Sequence, residues 1–358
     1  MIIKEKNLRK IVKEILIKAG SDERESGLVA EHLVRSNLLG IDSHGVGMLP
    51  QYIQNISQGL LKPNTPAKLI KEDGSILIFD GQRGFGQRTA LEAMNAAITK
   101  CKETGLAVMT LRNTHHIGRV GAYGEQSIKA GIVSLHFVNV VDHNPVVAPY
   151  GGRDSRFITN PVCMAMPGTK NTEPILLDMA TSKIPVGKAR VAINSGKELP
   201  DDMVLDADGN PTNDPNVIFS DPPGSLLAFG LHKGYGIAFF CELLAGVLGG
   251  GGTIQPENDR LGSVVNNMMV FLVDPNRLVN TEWMHHEIDA LVAYVKDSPP
   301  MDPKNPVMVA GDPERKFLIE RRTKGIPMLP ADWERILVAG EAVGIERNTL
   351  ESYISLYS

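Results

Sequence analysis

The sequence predicts an α/β protein whose helical start and helical end pack together around an α/β middle. Three observations carry this. The first sixty or so residues place apolar side chains at helical spacing, residues 75 to 140 alternate apolar strand-like runs with helical stretches, and the tail from Pro313 returns to helix. At 358 residues the chain has room for two or three domains.

The elements follow in order. Leu8, Ile11, Val12, Ile15 and Leu16 recur at helical spacing between Lys4 and Ala19. Gly20 ends that helix, and Ser21 or Asp22 caps the next, which runs to about Leu39. A turn from Leu39 to Gly47 leads into a third helix through Tyr52 and Ile56, with Pro50 near its start. Ser75–Asp80 reads as a strand, Thr89–Glu103 as a helix and Leu106–Leu111 as a strand. Tyr123–Ala130 follows as a helix and Val133–Val140 as a strand. Ser155–Pro167, Pro174–Met179 and Met268–Val273 are further strands, and Met203–Pro215 is rich in turns. Tyr235–Leu248 is expected as a buried helix, Glu282–Val295 as an amphipathic one, and Pro299–Pro306 as a loop.

Composition narrows the class. A hydrophobic fraction of 42% with 22% charged residues is that of a soluble globular protein. A net charge of -4 leaves no basic excess for nucleic acid. Cys101, Cys163 and Cys241 are far apart and form no CxxC pair, so neither a disulfide framework nor a metal site is encoded locally; a reducing cytoplasm is the expected location. Met1–Lys6 mixes both charge signs into an apolar pattern, as a surface helix does and a signal peptide does not. Ile237–Leu248 is the longest apolar stretch; it carries Glu242 and is too short to span a bilayer, so no membrane partner is expected.

Two segments have the composition of a site. In the Leu39–Gly47 turn, Gly40, Gly45 and Gly47 surround Asp42, Ser43 and His44, a pattern that cannot pack as an apolar stripe. It delivers an imidazole, the side chain that titrates nearest neutral pH, to the start of a helix. A solvated surface histidine is the plain alternative. Asn113–Gly124 repeats the character with His115, His116, Arg119 and three glycines.

Other patterns are weaker. Gly84-Phe85-Gly86 follows a strand, but Thr89 stands where the third glycine of a dinucleotide fingerprint belongs, and the next strand ends in Arg112 rather than an acid. The Rossmann reading is rejected. Gly249–Gly252 follows a helix and reads as a cap and loop, since a phosphate cradle needs glycines before one. Asp178 ends an apolar strand and is followed by the hydroxyl residues Thr181 and Ser182; it is either a site residue or a cap of the next element. His232-Lys233 opens a helix and is either an anion site or a solvated pair. His115-His116 and His285-His286 are adjacent pairs that point apart, so no metal is expected. Consecutive Asp42, Ser43 and His44 rarely orient as a hydrolytic triad, and no GxSxG elbow exists.

Taken together the motifs resemble the malate/L-lactate dehydrogenase type-2 family along nearly the whole chain. They are Asp42-Ser43-His44-Gly45-Val46, His116-x-Gly118, Pro149-Tyr150-Gly151-Gly152, Thr159-Asn160-Pro161, Asp178-Met179-Ala180-Thr181-Ser182 with Gly187-Lys188, and Lys233-Gly234. The resemblance implies a three-layer α/β/α architecture with a mixed, non-Rossmann sheet of the sulfolactate dehydrogenase type, and a helical domain built from both chain ends. It divides the chain into a helical, dimer-forming and substrate part, residues 1–120 with 290–358, and a cofactor-binding α/β part, residues 121–289. It implies a homodimer using NAD(H) or NADP(H) to interconvert a small 2-hydroxy acid and its 2-oxo acid. His44 would be the acid/base, assisted by Ser43 and Asp178, with His116 as a second site histidine that some members use instead. Thr159 and Asn160 would face the substrate. Cofactor contacts would come from Asp178, Met179, Ala180, Thr181 and Ser182, from Lys188, from His232 and Lys233, and from Gly311 and Asp312. Two alternatives stand beside this: a cyclic imino-acid reductase on the same scaffold, and a nucleotide-binding protein without catalysis.

One departure matters. Many members carry arginine at the position of Met48, where it grips the substrate carboxylate. A carboxylate needs a cation, and a guanidinium fork suits it best. Arg119, in the His116 loop, is the expected replacement; pairing with Glu125 or solvent is its alternative. Met48 makes that side of the pocket more apolar and favours larger or aromatic substrates over small acids such as malate or lactate.

Overall fold

The computed structural model describes residues 1–194 and 196–355. In chain order its helices are α1 (Glu5–Lys18), α2 (Glu23–Leu38), α3 (Leu49–Ser57), α4 (Gly86–Thr104), α5 (Gly121–Lys129), α6 (Val186–Asn194), α7 (His232–Cys241), α8 (Thr281–Lys296), α9 (Asp312–Lys324), α10 (Pro330–Ala342) and α11 (Arg347–Ser355). The main strands are β1 (Lys68–Asp73), β2 (Ile76–Asp80), β3 (Leu106–His115), β4 (Val133–Val141), β5 (Val162–Met166), β6 (Ile175–Met179) and β7 (Val265–Val273).

The two chain ends share one core. α1 buries the five apolar residues its spacing predicts, Leu8, Ile11, Val12, Ile15 and Leu16. Asp22 caps α2 by accepting from the Glu25 N–H at 2.7 Å. These helices and α3 pack with Trp333, Ile336 and Leu337 of α10 and Leu350 of α11. A short strand pair, Ile2–Ile3 with Ile326–Pro327, ties the first residues to the tail.

The seven strands form one mixed sheet in the order β1-β2-β3-β7-β4-β5-β6. β2 and β3 are parallel because α4 crosses between them; every other pair is antiparallel. The sheet runs on through the residue 120 boundary, since β3 pairs along its length with β7. One face is covered by α4 and α5, which bury Ala90, Met94, Val120 and Tyr123 against Met109, Leu111, Val138 and Val270. α7 and a π-helical turn, Glu242–Leu248, lie along the other face. This is the three-layer, non-Rossmann architecture expected. Val204–Leu205, Pro211–Thr212 and Ser225–Leu226 make a separate small sheet from the turn-rich segment.

Four expectations need correction. The strand expected to stop at Leu111 continues to His115, because a bulge opposite Asn266 and Met268 absorbs Asn113 at φ 52°. The Ser155–Pro167 strand is only β5, as Pro161 fixes its start. Tyr235–Leu248 is not buried all round: Phe240, Val247 and Leu248 are exposed. The first residues are not helical throughout, since Ile2–Ile3 pairs as a strand and helix begins only at Glu5. α8 is the helix expected, yet it buries none of its residues, and Trp283, Leu291 and Tyr294 stand out from it. Apolar periodicity reports that a face wants burial, not which surface supplies it.

Candidate active site

The His44 turn is held from outside. Asp42–His44 forms one turn of 3₁₀ helix, Gly45 is extended, and Val46–Met48 forms a second turn leading into α3. Asn37 of α2 bridges it, donating to Asp42 Oδ1 at 2.6 Å and accepting from the Val46 N–H at 2.9 Å. Arg321 of α9 grips both oxygens of Asp42 at 2.7 and 3.0 Å. A Cβ on residue 45 would overlap the Asn37 amide, so glycine is required there. Asp42 therefore faces away from His44, and the consecutive triad is not formed. Ser43 Oγ lies 3.0 Å from His44 Nδ1. Met48 is half-buried and packs on the helical core.

His116 arrives from the end of β3 and stacks on His44, with ring centroids 5.5 Å apart and planes at 23°. Its Nδ1 lies 2.6 Å from the Tyr52 hydroxyl, which also receives Gln87 Nε2–H at 2.9 Å. His115 points elsewhere, its Nε2 2.8 Å from Asn55 Nδ2, as expected for neighbours on a strand. Gly86 leaves no room for a Cβ against the His115 and His116 carbonyls. The Gly84–Gly86 turn is thus a packing device for this loop.

Burial, and after it the Arg119 charge, lower the His44 pKa to about 4. Burial, then His44, His115 and His32, hold His116 well below the ordinary histidine range. Both imidazoles are neutral at pH 7.

Arg119 is an interior residue. Gly118, at φ 70°, lets the Arg119 N–H donate to His32 Nε2 at 2.9 Å. The guanidinium Nη2 donates to Glu125 Oε1 at 2.6 Å, and the other Glu125 oxygen accepts from Arg35 at 2.8 Å. Nη1 lies 3.9 Å from Asp178 Oδ2 and is buried without a hydrogen-bond partner. Asp178 Oδ2 accepts from the Gly121 N–H at 2.7 Å at the start of α5. Burial raises the Asp178 pKa, while Arg119 and that N–H oppose the rise. Arg119 does pair with Glu125, but in the interior and not at the surface, and its Nη1 is left unpaired.

Of the segments expected to contact the cofactor, Asp178–Ser182 and the loop before α7 meet at the end of β6, while the Gly311 loop lies beside its second residue. Thr181 Oγ1 donates to the carbonyls of Thr159 and Asn160 at 2.9 and 3.1 Å. Asn160, at φ 22°, donates to Ala238 O and Glu242 Oε1, and its own Oδ1 is buried without a partner. Ser182 donates to Ile184 O at 2.8 Å, and Met179 and Ala180 are half-buried. The Phe229 N–H donates to Thr181 O at 3.0 Å, drawing in the loop before α7, where His232 and Lys233 are exposed. Gly187, at the start of α6, lies so close to the His44 turn that a Cβ there would sit 3.6 Å from the Ser43 Cβ; Lys188 beside it is exposed. Lys183 is paired with Asp202. The Leu176 N–H donates to Ala310 O at 3.3 Å, which brings Gly311 alongside β6. Asp312 is engaged by Lys296 at 2.8 Å and Arg315 at 2.6 Å and held at about 2 despite burial. Its carboxylate secures the loop between α8 and α9.

This arrangement suits a nicotinamide dinucleotide in one respect that can be tested on the residues. Lys188 and Lys233 present cations at the first turns of two helices, where free N–H groups and the dipole favour phosphate. Among the described residues no group of three or more histidine, cysteine or acidic side chains is placed to hold a metal ion. Nor is any helix among them long and apolar enough to cross a membrane.

Sequence reading missed Tyr52, Gln87, His32, Asn37 and Arg321. The one usable signal was Tyr52 on a buried helix face, because a buried phenol needs a partner.

A family model described as malate/L-lactate dehydrogenase matches residues 3–337. Hydroxycarboxylate dehydrogenase B of Escherichia coli (strain K12) is 42% identical over 348 residues, 97% of this chain and 95% of the relative. An L-lactate dehydrogenase of Cupriavidus necator is 44% identical over 286 residues, 80% and 82% of the two chains. The solved sulfolactate dehydrogenase of Methanocaldococcus jannaschii superposes with a TM-score of 0.84 at 29% identity, covering 98% of this chain and 99% of that one.

Proposed function

This chain belongs to the malate/L-lactate dehydrogenase family, and on that premise we propose that it interconverts a 2-hydroxy acid and its 2-oxo acid with NAD(H) or NADP(H). The observation that carries the reading is the stacked, neutral His44–His116 pair beside Ser43, with Arg119 and Asp178 behind it. Bound nicotinamide would supply or accept the hydride. Lys188, His232 and Lys233 would hold its phosphates, with the Asp178–Ser182 backbone and the Gly311 loop along its side.

His44 is the acid/base of this reading. In the tautomer whose Nδ1–H is donated to Ser43, the Nε2 lone pair is free to take the hydroxyl proton in oxidation. In reduction the same nitrogen gives the proton back. A substrate carboxylate entering near Arg119 offsets the charge that depresses His44, and so raises its pKa toward the range where it can carry a proton. The unpaired Nη1 of Arg119 is the proposed carboxylate partner, and Thr159 and Asn160 flank the substrate. Met48 in place of a second cation favours larger or aromatic side chains.

Two copies would associate through the exposed apolar residues of α7 with its π turn and of α8, which have no cover within one chain. The test is oxidation of NADH and NADPH with pyruvate, oxaloacetate and phenylpyruvate, and with a cyclic imino acid. Turnover of a 2-oxo acid is expected, fastest with phenylpyruvate. Turnover of the imine alone would assign a reductase, and nucleotide binding without turnover of either would overturn the enzymatic reading.

A further inference from the structure

The Tyr52 hydroxyl settles a question that the two stacked histidines leave open, namely which nitrogen of His116 carries its hydrogen. Tyr52 is fully buried, edge-on to Phe85 and His115. Its oxygen meets two groups, Gln87 Nε2 at 2.9 Å and His116 Nδ1 at 2.6 Å. An amide nitrogen can only donate, so the phenol oxygen accepts from Gln87. The single phenol hydrogen then goes to His116 Nδ1, which must present a lone pair. A neutral imidazole with Nδ1 as acceptor carries its hydrogen on Nε2.

The opposite amide orientation is worse. As placed, Gln87 strands one acceptor, its Oε1, in the buried pocket. Turned over, it would strand the NH₂ group and both of its donors instead. Burial also raises the Tyr52 pKa, so the phenol keeps its hydrogen.

His44 has no such lock. Its Nδ1 partner is Ser43, an exposed hydroxyl that can rotate to donate or accept. His44 can gain and lose a proton without stranding a partner. Protonating His116 at Nδ1 would displace the phenol hydrogen into a buried space.

We propose that Tyr52, itself fixed by Gln87, is a positioning residue that holds His116 as the Nε2–H tautomer, making His116 a hydrogen-bond donor to the substrate oxygen while His44 exchanges the proton. This rests on the dehydrogenase reading above. In oxidation the hydroxyl O–H bond breaks and its proton passes to His44, the hydride leaves carbon for oxidised nicotinamide, and His116 keeps its own hydrogen throughout.

The first test needs no substrate. In the full-length protein labelled with ¹⁵N-histidine, the His116 spectrum should show an unprotonated Nδ1 and a protonated Nε2 at pH 7. Tyr52→Phe should convert it to a mixture of tautomers and lower kcat by about tenfold, with cofactor affinity unchanged. His116→Gln retains an N–H donor but cannot exchange a proton; it should stay within about tenfold of the parent, whereas His116→Ala should lose about a hundredfold, the usual effect of removing one such donor. His44→Gln should be as inactive as His44→Ala. A protonated Nδ1 in the parent spectrum overturns the proposal whatever the enzyme acts on. So does a His116→Gln variant as inactive as His116→Ala. Absence of any dehydrogenase activity would remove the premise while leaving the tautomer result in place.

Discussion

The turn that carries His44 and the loop that carries His116 lie side by side but are secured in opposite ways. The first is clamped from its rim: Asn37 and Arg321 hold Asp42, while Ser43 stays exposed next to the imidazole. The second is secured from the interior by Tyr52, by Gly86 against the backbone, and by His32 under the Arg119 N–H. Under the proposed mechanism, this contrast is how two like side chains would take different roles. A group that exchanges protons needs a partner able to turn, and a group that only donates gains from one that cannot.

Acid should destabilise the buried interior rather than the rim, and this is the largest effect expected. Burial lowers His32, His115 and His136 to about 3 each from an ordinary value of 6.5. Above pH 6.5 neither the folded nor the unfolded chain protonates them. As pH falls from 6.5 toward 3, only the unfolded chain binds these protons. Stability is lost at up to about 1.4 kcal/mol per pH unit for each histidine. Urea melts at stepped pH should show several kcal/mol lost by pH 4.5; a flat profile from 7 to 4.5 would remove the premise that these rings stay neutral.

His44→Ala should break the rim side without touching the fold. A loss in kcat of about a hundredfold or more is expected, with cofactor binding and melting temperature retained. Near-normal turnover would transfer the proton-exchange role to His116.

Gly118→Ala should act in the opposite sense, on stability. Residue 118 sits at φ 70°, and a Cβ would collide with the His32 ring. A loss of about 2–3 kcal/mol in denaturant unfolding is expected; wild-type stability would show that the loop can move aside.

Arg119→Lys sharpens the comparison with the smallest effect. It keeps a charge near Glu125 and Asp178 but loses the guanidinium fork. The KM for 2-oxo acids should rise about tenfold, with cofactor affinity unchanged. A rise confined to thermal lability would make Arg119 a structural ion-pair residue and move the carboxylate partner elsewhere.

Much of this was legible in the chain. Helical spacing located α1, the Gly20 stop and Ser21 or Asp22 cap located α2, and apolar runs located β2, β4 and β7. The failed fingerprint at Gly84–Thr89 argued against a Rossmann sheet, and the sheet is indeed mixed. The glycine-bounded segments around His44 and His116 marked the pair that stacks. The β3 extension was hidden because Arg112 and Asn113 look like a turn, and a bulge keeps them in the strand.

The sequence by itself determined the elements, the family and the two histidine-bearing segments, because each is written in residues close along the chain. Only the tertiary structure decided the partners. Tyr52 meets His116 across 64 residues, and Arg321 meets Asp42 across 279. Folding also turned Arg119 inward to Glu125, left α8 uncovered, and committed Asp312 to Lys296 and Arg315. The physical reason is one of range. Propensity and periodicity are properties of neighbouring residues, whereas the direction of a hydrogen bond and the pKa of a buried ring depend on whatever the fold brings within a few ångströms.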